Sequence, residues 1–367
     1  MSERRTGASS AGAVSDRRTA ASTTPALELE EARSLWAPAA PYLNTASYGL
    51  PPAPAFDALQ DALADWRGGR TSWEGWAEAT GRSRALFAQL VGVAAERVAI
   101  GATVSQLVGL VAAALPAGAR VVVPDAEFTS NLFPWMLRAR VECVPAERLA
   151  EAIDSRTRLV AFSAVQSATG AVADIDAIVS AARHHGALTV VDATQACGWL
   201  ELDGARFDAL ACGAYKWLMS PRGTAFLALG EELLELVEPL AAGWFAGEDP
   251  HASYYGPPLR LAASARRLDT SPAWFSWVGT EPALELVQRI GVGAIGAHDV
   301  ALANRFRAGL DLEPSDSAIV SVDAPGAEQR LERAGIRASV RAGSLRASFH
   351  LYNTDADVDA ALGALVD

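Results

Sequence analysis

Two spacings of apolar residues alternate along this chain. Phe56, Leu59, Leu63 and Trp66 recur at helical intervals after a proline-rich entry, and helical spacing returns over 76–90, 105–115 and 175–185. Between these stretches lie short, continuous apolar runs at 98–100, 120–124, 159–163, 188–192, 209–212 and 225–229. Such runs read as strands buried on both faces. Their alternation with helices predicts an α/β unit on a mostly parallel sheet. After about residue 250 the pattern changes. A long helix over 281–310 is expected to lead into a smaller α+β unit with strands at 318–322, 338–341 and 345–350 and a terminal helix from Asp355. Residues 1–24 are rich in Ser, Ala, Thr and Arg without apolar period and are expected to form a disordered tail. The chain therefore divides into that tail, a segment 25–50, a large domain 51–250 and a small domain 255–367.

Composition narrows the function classes. The 367 residues are 50% hydrophobic and 20% charged, enough for a sizeable core. A net charge of −12 is the wrong sign for a nucleic-acid or anionic-membrane binder. No apolar run reaches the ~18 residues of an ordinary membrane-spanning helix, so a soluble, cytoplasmic protein is expected. Cys143, Cys197 and Cys212 lack zinc spacing, and the five histidines form no metal pattern, so no metal is expected. The cysteines lie in or beside apolar runs and are expected to be buried.

One residue stands apart. Of 31 basic residues, 30 are arginines, and Lys216 is the only lysine, in the mostly apolar stretch 209–219. An ammonium group can deprotonate and attack a carbonyl; a guanidinium cannot. Twenty-four residues earlier, Asp192 ends an apolar run, at the strand edge where open α/β sheets bind ligands. A lysine and an acid on neighbouring strand ends point to pyridoxal phosphate. The amine forms an imine with the cofactor aldehyde, and the acid keeps the pyridine nitrogen protonated. The glycines at 291, 293 and 296 match a dinucleotide-binding spacing, but the run before them has helical, not strand, period.

Around these residues the chain resembles the class V aminotransferases of pyridoxal-phosphate fold type I, a group that includes cysteine desulfurases, isopenicillin N epimerase-like enzymes and kynureninases. The resemblance runs from Tyr42 to near the C-terminus. It implies a large domain on a mostly parallel mixed sheet, a small C-terminal α+β domain, and a homodimer with its active site at the interface. Residues 42–51 resemble the segment lining the substrate pocket, which makes Asn44, Ser47 and Tyr48 candidates for substrate contact, with Trp244 and Phe245 as further lining. Residues 101–105 resemble the phosphate cup, where amides at Val104 and Ser105 and the Ser105 hydroxyl would meet an anion at a helix start. Phe128 stands at the position of the ring that stacks on the cofactor, where desulfurases carry histidine. Gln195 matches the partner of the phenolic oxygen, and Lys216 matches the imine-forming lysine. Tyr215 is expected to contact phosphate. Gly213 and Ser167 stand where the family more often has serine and asparagine. Residues 269–272 resemble a stretch that crosses to the partner's phosphate, with Ser271 favoured and Thr280 the second candidate. Residues 346–354 match the C-terminal signature, whose arginine, Arg346, would hold the substrate α-carboxylate as a bidentate fork. His350 and Asn353 are expected to serve structure.

The resemblance implies that Lys216 removes the α-proton of an amino acid or amino-acid-like metabolite. Amino transfer or β-elimination of the C–S lyase type is the expected outcome, with epimerisation or kynureninase-like hydrolysis as alternatives. An ordinary cysteine desulfurase is not expected, because no cysteine lies between Arg333 and Arg346. The alternative of another class is a non-catalytic interaction protein on the same scaffold; retention of Asp192, Gln195, Lys216 and Arg346 argues against it.

Overall fold

A computed structural model describes residues 26–366. The tail expected over 1–24 lies outside them. Seven strands form the large sheet: β1 (Val98–Gly101), β2 (Arg120–Pro124), β3 (Arg140–Val144), β4 (Thr157–Ser163), β5 (Leu188–Asp192), β6 (Ala209–Gly213) and β7 (Ala225–Leu229). Their order is β1-β7-β6-β5-β4-β2-β3. The pairs from β3 across to β6 are parallel, and β7 runs antiparallel to both its neighbours. This is the expected mostly parallel mixed sheet. Strands β5, β6 and β7 are buried at every position, which is why their apolar runs were continuous.

Sequence pattern did not reveal β3. It is an edge strand whose residues are half-buried or exposed, so it carries no apolar run. Cys143 on it is exposed, which corrects the expectation that all three cysteines are buried; Cys197 and Cys212 are.

The single helix expected over 281–310 is two helices, Trp274–Ile290 and Val292–Ala308. Gly291 between them has φ +88°, which a residue with a Cβ adopts only under strain, and the chain turns there. Trp277, Leu284, Leu286 and Val287 of the first helix join the core of the large sheet. The second helix begins the small unit. Leu302 and Phe306 pack there with Leu43 and with residues of β8 (Ile319–Val322) and β10 (Ser344–Ser348); with β9 (Ser339–Arg341) these form a sheet of order β8-β10-β9, all antiparallel. Residues 42–46 lie against this sheet. The Leu43 amide donates to the Arg337 carbonyl (2.7 Å), and the Leu43 carbonyl accepts from the Ser348 amide (3.0 Å). This N-terminal segment is one of the contacts between the two sheets, beside those of Arg346 with Ser167 and of His350 with Trp217.

One buried ion pair ties the sheet to the segment before the first of these helices. Asp269 accepts from Arg84 Nη2 (2.5 Å) and from the Ile100 amide of β1 (2.9 Å), and Asp269 is wholly buried. Losing one partner of such a pair strands a buried charge and costs about 3–5 kcal/mol.

Candidate active site

The C-terminal ends of β4, β5 and β6 set the site. Ser163 of β4 and Ala211 of β6 flank Asp192 in register, so Asp192 sits where the parallel strands stop and loops open. Its Oδ1 accepts the Thr194 amide (2.9 Å) and, among the described residues, Oδ2 accepts nothing. Burial pushes this carboxyl above the usual range, against the pull of the Thr194 bonds and of Lys216. A buried acid with a free oxygen is suited to an N–H⁺ donor, which would hold it ionised.

Lys216 follows β6 by three residues and is 6% exposed. Nζ lies 5.6 Å from the centre of the Phe128 ring and 5.7 Å from that of Tyr215, with no hydrogen-bond partner among the described residues. Desolvation lowers its pKa to about 8, opposed by Asp192 and reinforced by Arg346. Phe128 is 45% exposed despite its size, so its face is free beside the lysine. The helix Val104–Ala114 starts with Thr103 capping the Gln106 amide, which leaves the amides of Val104 and Ser105 without partners inside the helix.

These features fit pyridoxal phosphate. Asp192 offers a free acceptor for a ring N–H, Phe128 an aromatic face, Lys216 an unpaired amine and the helix start two unpaired amides. Gln195 fits less simply. Its Nε2 already donates to the Ala46 carbonyl (2.9 Å) and to Ser167 Oγ (3.1 Å), while Oε1 accepts from Trp217 Nε1 (2.8 Å). Donating to a cofactor oxygen requires one of those first two bonds to give way.

Arg346, on β10, is 1% exposed. Nη1 donates to the Ser167 carbonyl (2.5 Å) and Nη2 to Ser47 Oγ (2.7 Å); Nε is buried without a partner. Asn44, bridged to Ser348 two residues along the same strand, has an Oδ1 that is likewise buried and unpartnered. Tyr48 packs against Tyr215 at 5.7 Å, and its hydroxyl accepts the Arg222 amide (3.1 Å). Asn44, Ser47, Tyr48, Gln195, Tyr215, Lys216 and Arg346 are therefore joined by contacts or chain continuity.

Three expected residues are placed elsewhere. Trp244 and Phe245 sit in an aromatic cluster with Trp274, which Trp244 extends to Trp73 and Tyr254, and neither touches Phe128, Tyr215 or Lys216. The aromatic residues found close to Lys216 or Tyr215 within this chain are Phe128, Tyr48 and Tyr215. Thr280 is fully buried inside its helix, and its hydroxyl donates to the Ser276 carbonyl (2.8 Å), so it presents nothing outward. Ser271 is exposed.

Two site residues escaped sequence reasoning. Glu127 is buried and accepts from the Phe128 amide (2.8 Å), the Ser163 amide (2.7 Å) and Ser163 Oγ (2.5 Å). It fixes the backbone that carries the Phe128 ring to the end of β4. Burial pushes its carboxyl up to about 7, with Asp192 adding to the rise. Arg341 donates to Ser47 Oγ (3.1 Å) beside Arg346. His350, expected to be structural, is fully buried between Asp299 (Nδ1–Oδ2, 2.7 Å) and the carbonyl of Trp217 (3.0 Å), next to Lys216 in the chain.

Comparison with known proteins identifies the family. The aminotransferase class-V family model matches residues 42–327. The chain is 30% identical to an uncharacterized aminotransferase, YcbU, of Bacillus subtilis, over 82% of this chain and 87% of that one. It is 32% identical to the isopenicillin N epimerase of Streptomyces clavuligerus, over 62% and 63% of the two chains. Its fold is similar to that of the cysteine desulfurase CsdA from Escherichia coli, with a TM-score of 0.80, 21% identity and coverage of 93% and 98%.

Proposed function

The chain belongs to the aminotransferase class V family, and on that premise we propose that it is a pyridoxal-phosphate enzyme that removes the α-proton of an amino acid. The observation that carries this reading is the buried, unpaired Lys216 amine between two rings and beside Asp192.

In this reading Asp192 would accept the ring N–H, Phe128 would offer its ring to the cofactor, and the Val104 and Ser105 amides with the Ser105 hydroxyl would hold the phosphate. When bound, the cofactor supplies an electron sink for the pair left behind when a bond at Cα breaks. Lys216 Nζ would be the residue that holds the cofactor, and when free it would be the base placed to take the Cα proton, a role that a pKa of about 8 suits near neutral pH. Among the described residues the rings that Nζ faces are Phe128 and Tyr215, neither of which can take a proton from Cα. Arg346 holds the α-carboxylate and thereby fixes which bond at Cα faces the sink.

Amino transfer or β-elimination follows as the outcome. Sulfur transfer to a loop cysteine is excluded from the proposal. Before β10 the chain makes a two-residue hairpin turn at Ala342–Gly343, with φ of 48° and 87°, and neither the turn nor its strands holds a cysteine. The proposal includes a homodimer. Ser271 is exposed, and Tyr255 and Leu259, 91% and 81% exposed, form apolar surface in the same region of the chain.

The test is Cα hydrogen exchange. Incubated in deuterium oxide with a panel of amino acids and S-substituted cysteines, the cofactor-loaded protein is expected to place deuterium at Cα of at least one of them, read by mass spectrometry. Turnover with Cα hydrogen fully retained in every product would instead point to decarboxylation or another bond cleavage.

A further inference from the structure

The two-residue hairpin at Ala342–Gly343 also positions a second arginine. Arg341 pairs with Ser344 across the turn, and Ser339 with Arg346. Directly opposed residues of an antiparallel pair share a face, and so do residues two apart on one strand. Arg341 and Arg346 therefore project from the same face of the small sheet. Their terminal nitrogens meet on one atom: Ser47 Oγ accepts from Arg346 Nη2 (2.7 Å) and from Arg341 Nη2 (3.1 Å).

One hydroxyl does not need two guanidinium donors, and bringing two cations together is unfavourable unless an anion joins them. Among the described residues neither arginine has a carboxylate partner. The other polar partners of Arg341 reduce to the carbonyl of Val340 (2.7 Å), its own neighbour. Arg346 is buried and keeps Nε unsatisfied, while Arg341 is exposed at the rim. The pair thus runs from the floor of the site to its mouth. Its charge is felt locally: Arg341 adds to the burial that lowers Arg346 to about 10, and both arginines push against a proton on Lys216.

We propose that Arg341 and Arg346 form a two-anion edge that selects acidic amino acids, Arg346 taking the α-carboxylate and Arg341 a carboxylate or sulfinate on the substrate side chain. This rests on the reading of the site as an amino-acid site. Ser47 acts between them as a spacer whose oxygen holds the two forks in place until the substrate oxygens arrive. The two-residue turn adds specificity by holding Arg341 on a short, stiff hairpin rather than on a mobile loop.

The test uses acids that cannot react. Succinate and butyrate have the same four-carbon chain and differ in one carboxylate, so titration calorimetry of the cofactor-loaded protein isolates the second anion. Succinate is expected to bind at least about tenfold more tightly than butyrate, and Arg341→Gln to bring the ratio within about twofold. Arg341→Lys keeps the charge but not the fork and should fall between. Equal or undetectable binding of the two acids by the wild type would overturn the inference, as would a preference that survives Arg341→Gln. Because neither acid carries an amine, this result is independent of Cα exchange. A protein that prefers succinate yet exchanges no Cα hydrogen would remove the proposed reaction and leave the anion edge in place.

Discussion

Lys216→Arg is expected to fold, to keep its positive charge and to lose turnover by a factor of ~10³ or more, since it removes both the group that holds the aldehyde and the base. A guanidinium stays protonated throughout the working range, so it can neither attack a carbonyl nor take a proton. The pH dependence has a definite sign. Burial lowers the ammonium from its ordinary 10.5 to about 8, so the neutral amine grows as pH rises and dominates above 8. Capture of cofactor by the apo-protein should therefore quicken by about tenfold per pH unit below that point and level off above it. A rate that keeps climbing past pH 10 would show a solvated lysine. Turnover by Lys216→Arg within a few-fold of wild type would assign the base to another group.

The second large effect belongs to Arg346. Arg346→Lys is expected to lower kcat/KM for amino acids by roughly 10²–10⁴, the cost of two charge-assisted hydrogen bonds to a carboxylate. The loss should appear in KM as well as kcat, because the α-carboxylate both binds and orients the substrate. Cofactor absorbance should survive, since Arg346 reaches Ser167 and Ser47 and not Lys216. An unchanged KM with full cofactor loading would move the carboxylate site elsewhere. Steady-state kinetics beside a visible spectrum decides it.

Much of this arrangement was legible because burial leaves a mark on sequence. Strands β5 and β7 were read with their observed ends, since every position in them is buried. Lys216 stood out because arginine serves elsewhere in the chain as the generic cation, leaving lysine where its chemistry differs. Edge strand β3, which faces solvent, gave no such mark. The break at Gly291 lay hidden inside an unbroken helical period, because a helix can restart at once after one residue of positive φ. Arg341 was invisible for a different reason. Its place beside Arg346 depends on strand register and on a two-residue turn, and a shift of one residue would send it to the opposite face. Glu127 needed the neighbouring strand: its role comes from Ser163, 36 residues away in the chain. Trp244, read as lining from its sequence, packs within this chain against Trp73 and Trp274, a cluster set by tertiary contacts.

The central claim is that Lys216 holds pyridoxal phosphate, and its position as the only lysine makes a direct measurement possible. The protein is supplemented with cofactor, dialysed, reduced with borohydride, digested and mapped by mass spectrometry. The account predicts a visible absorption band that borohydride abolishes and one phosphopyridoxyl group, on the peptide bearing Lys216. No band after supplementation, or a reduced cofactor recovered only on the N-terminal amine, would contradict it.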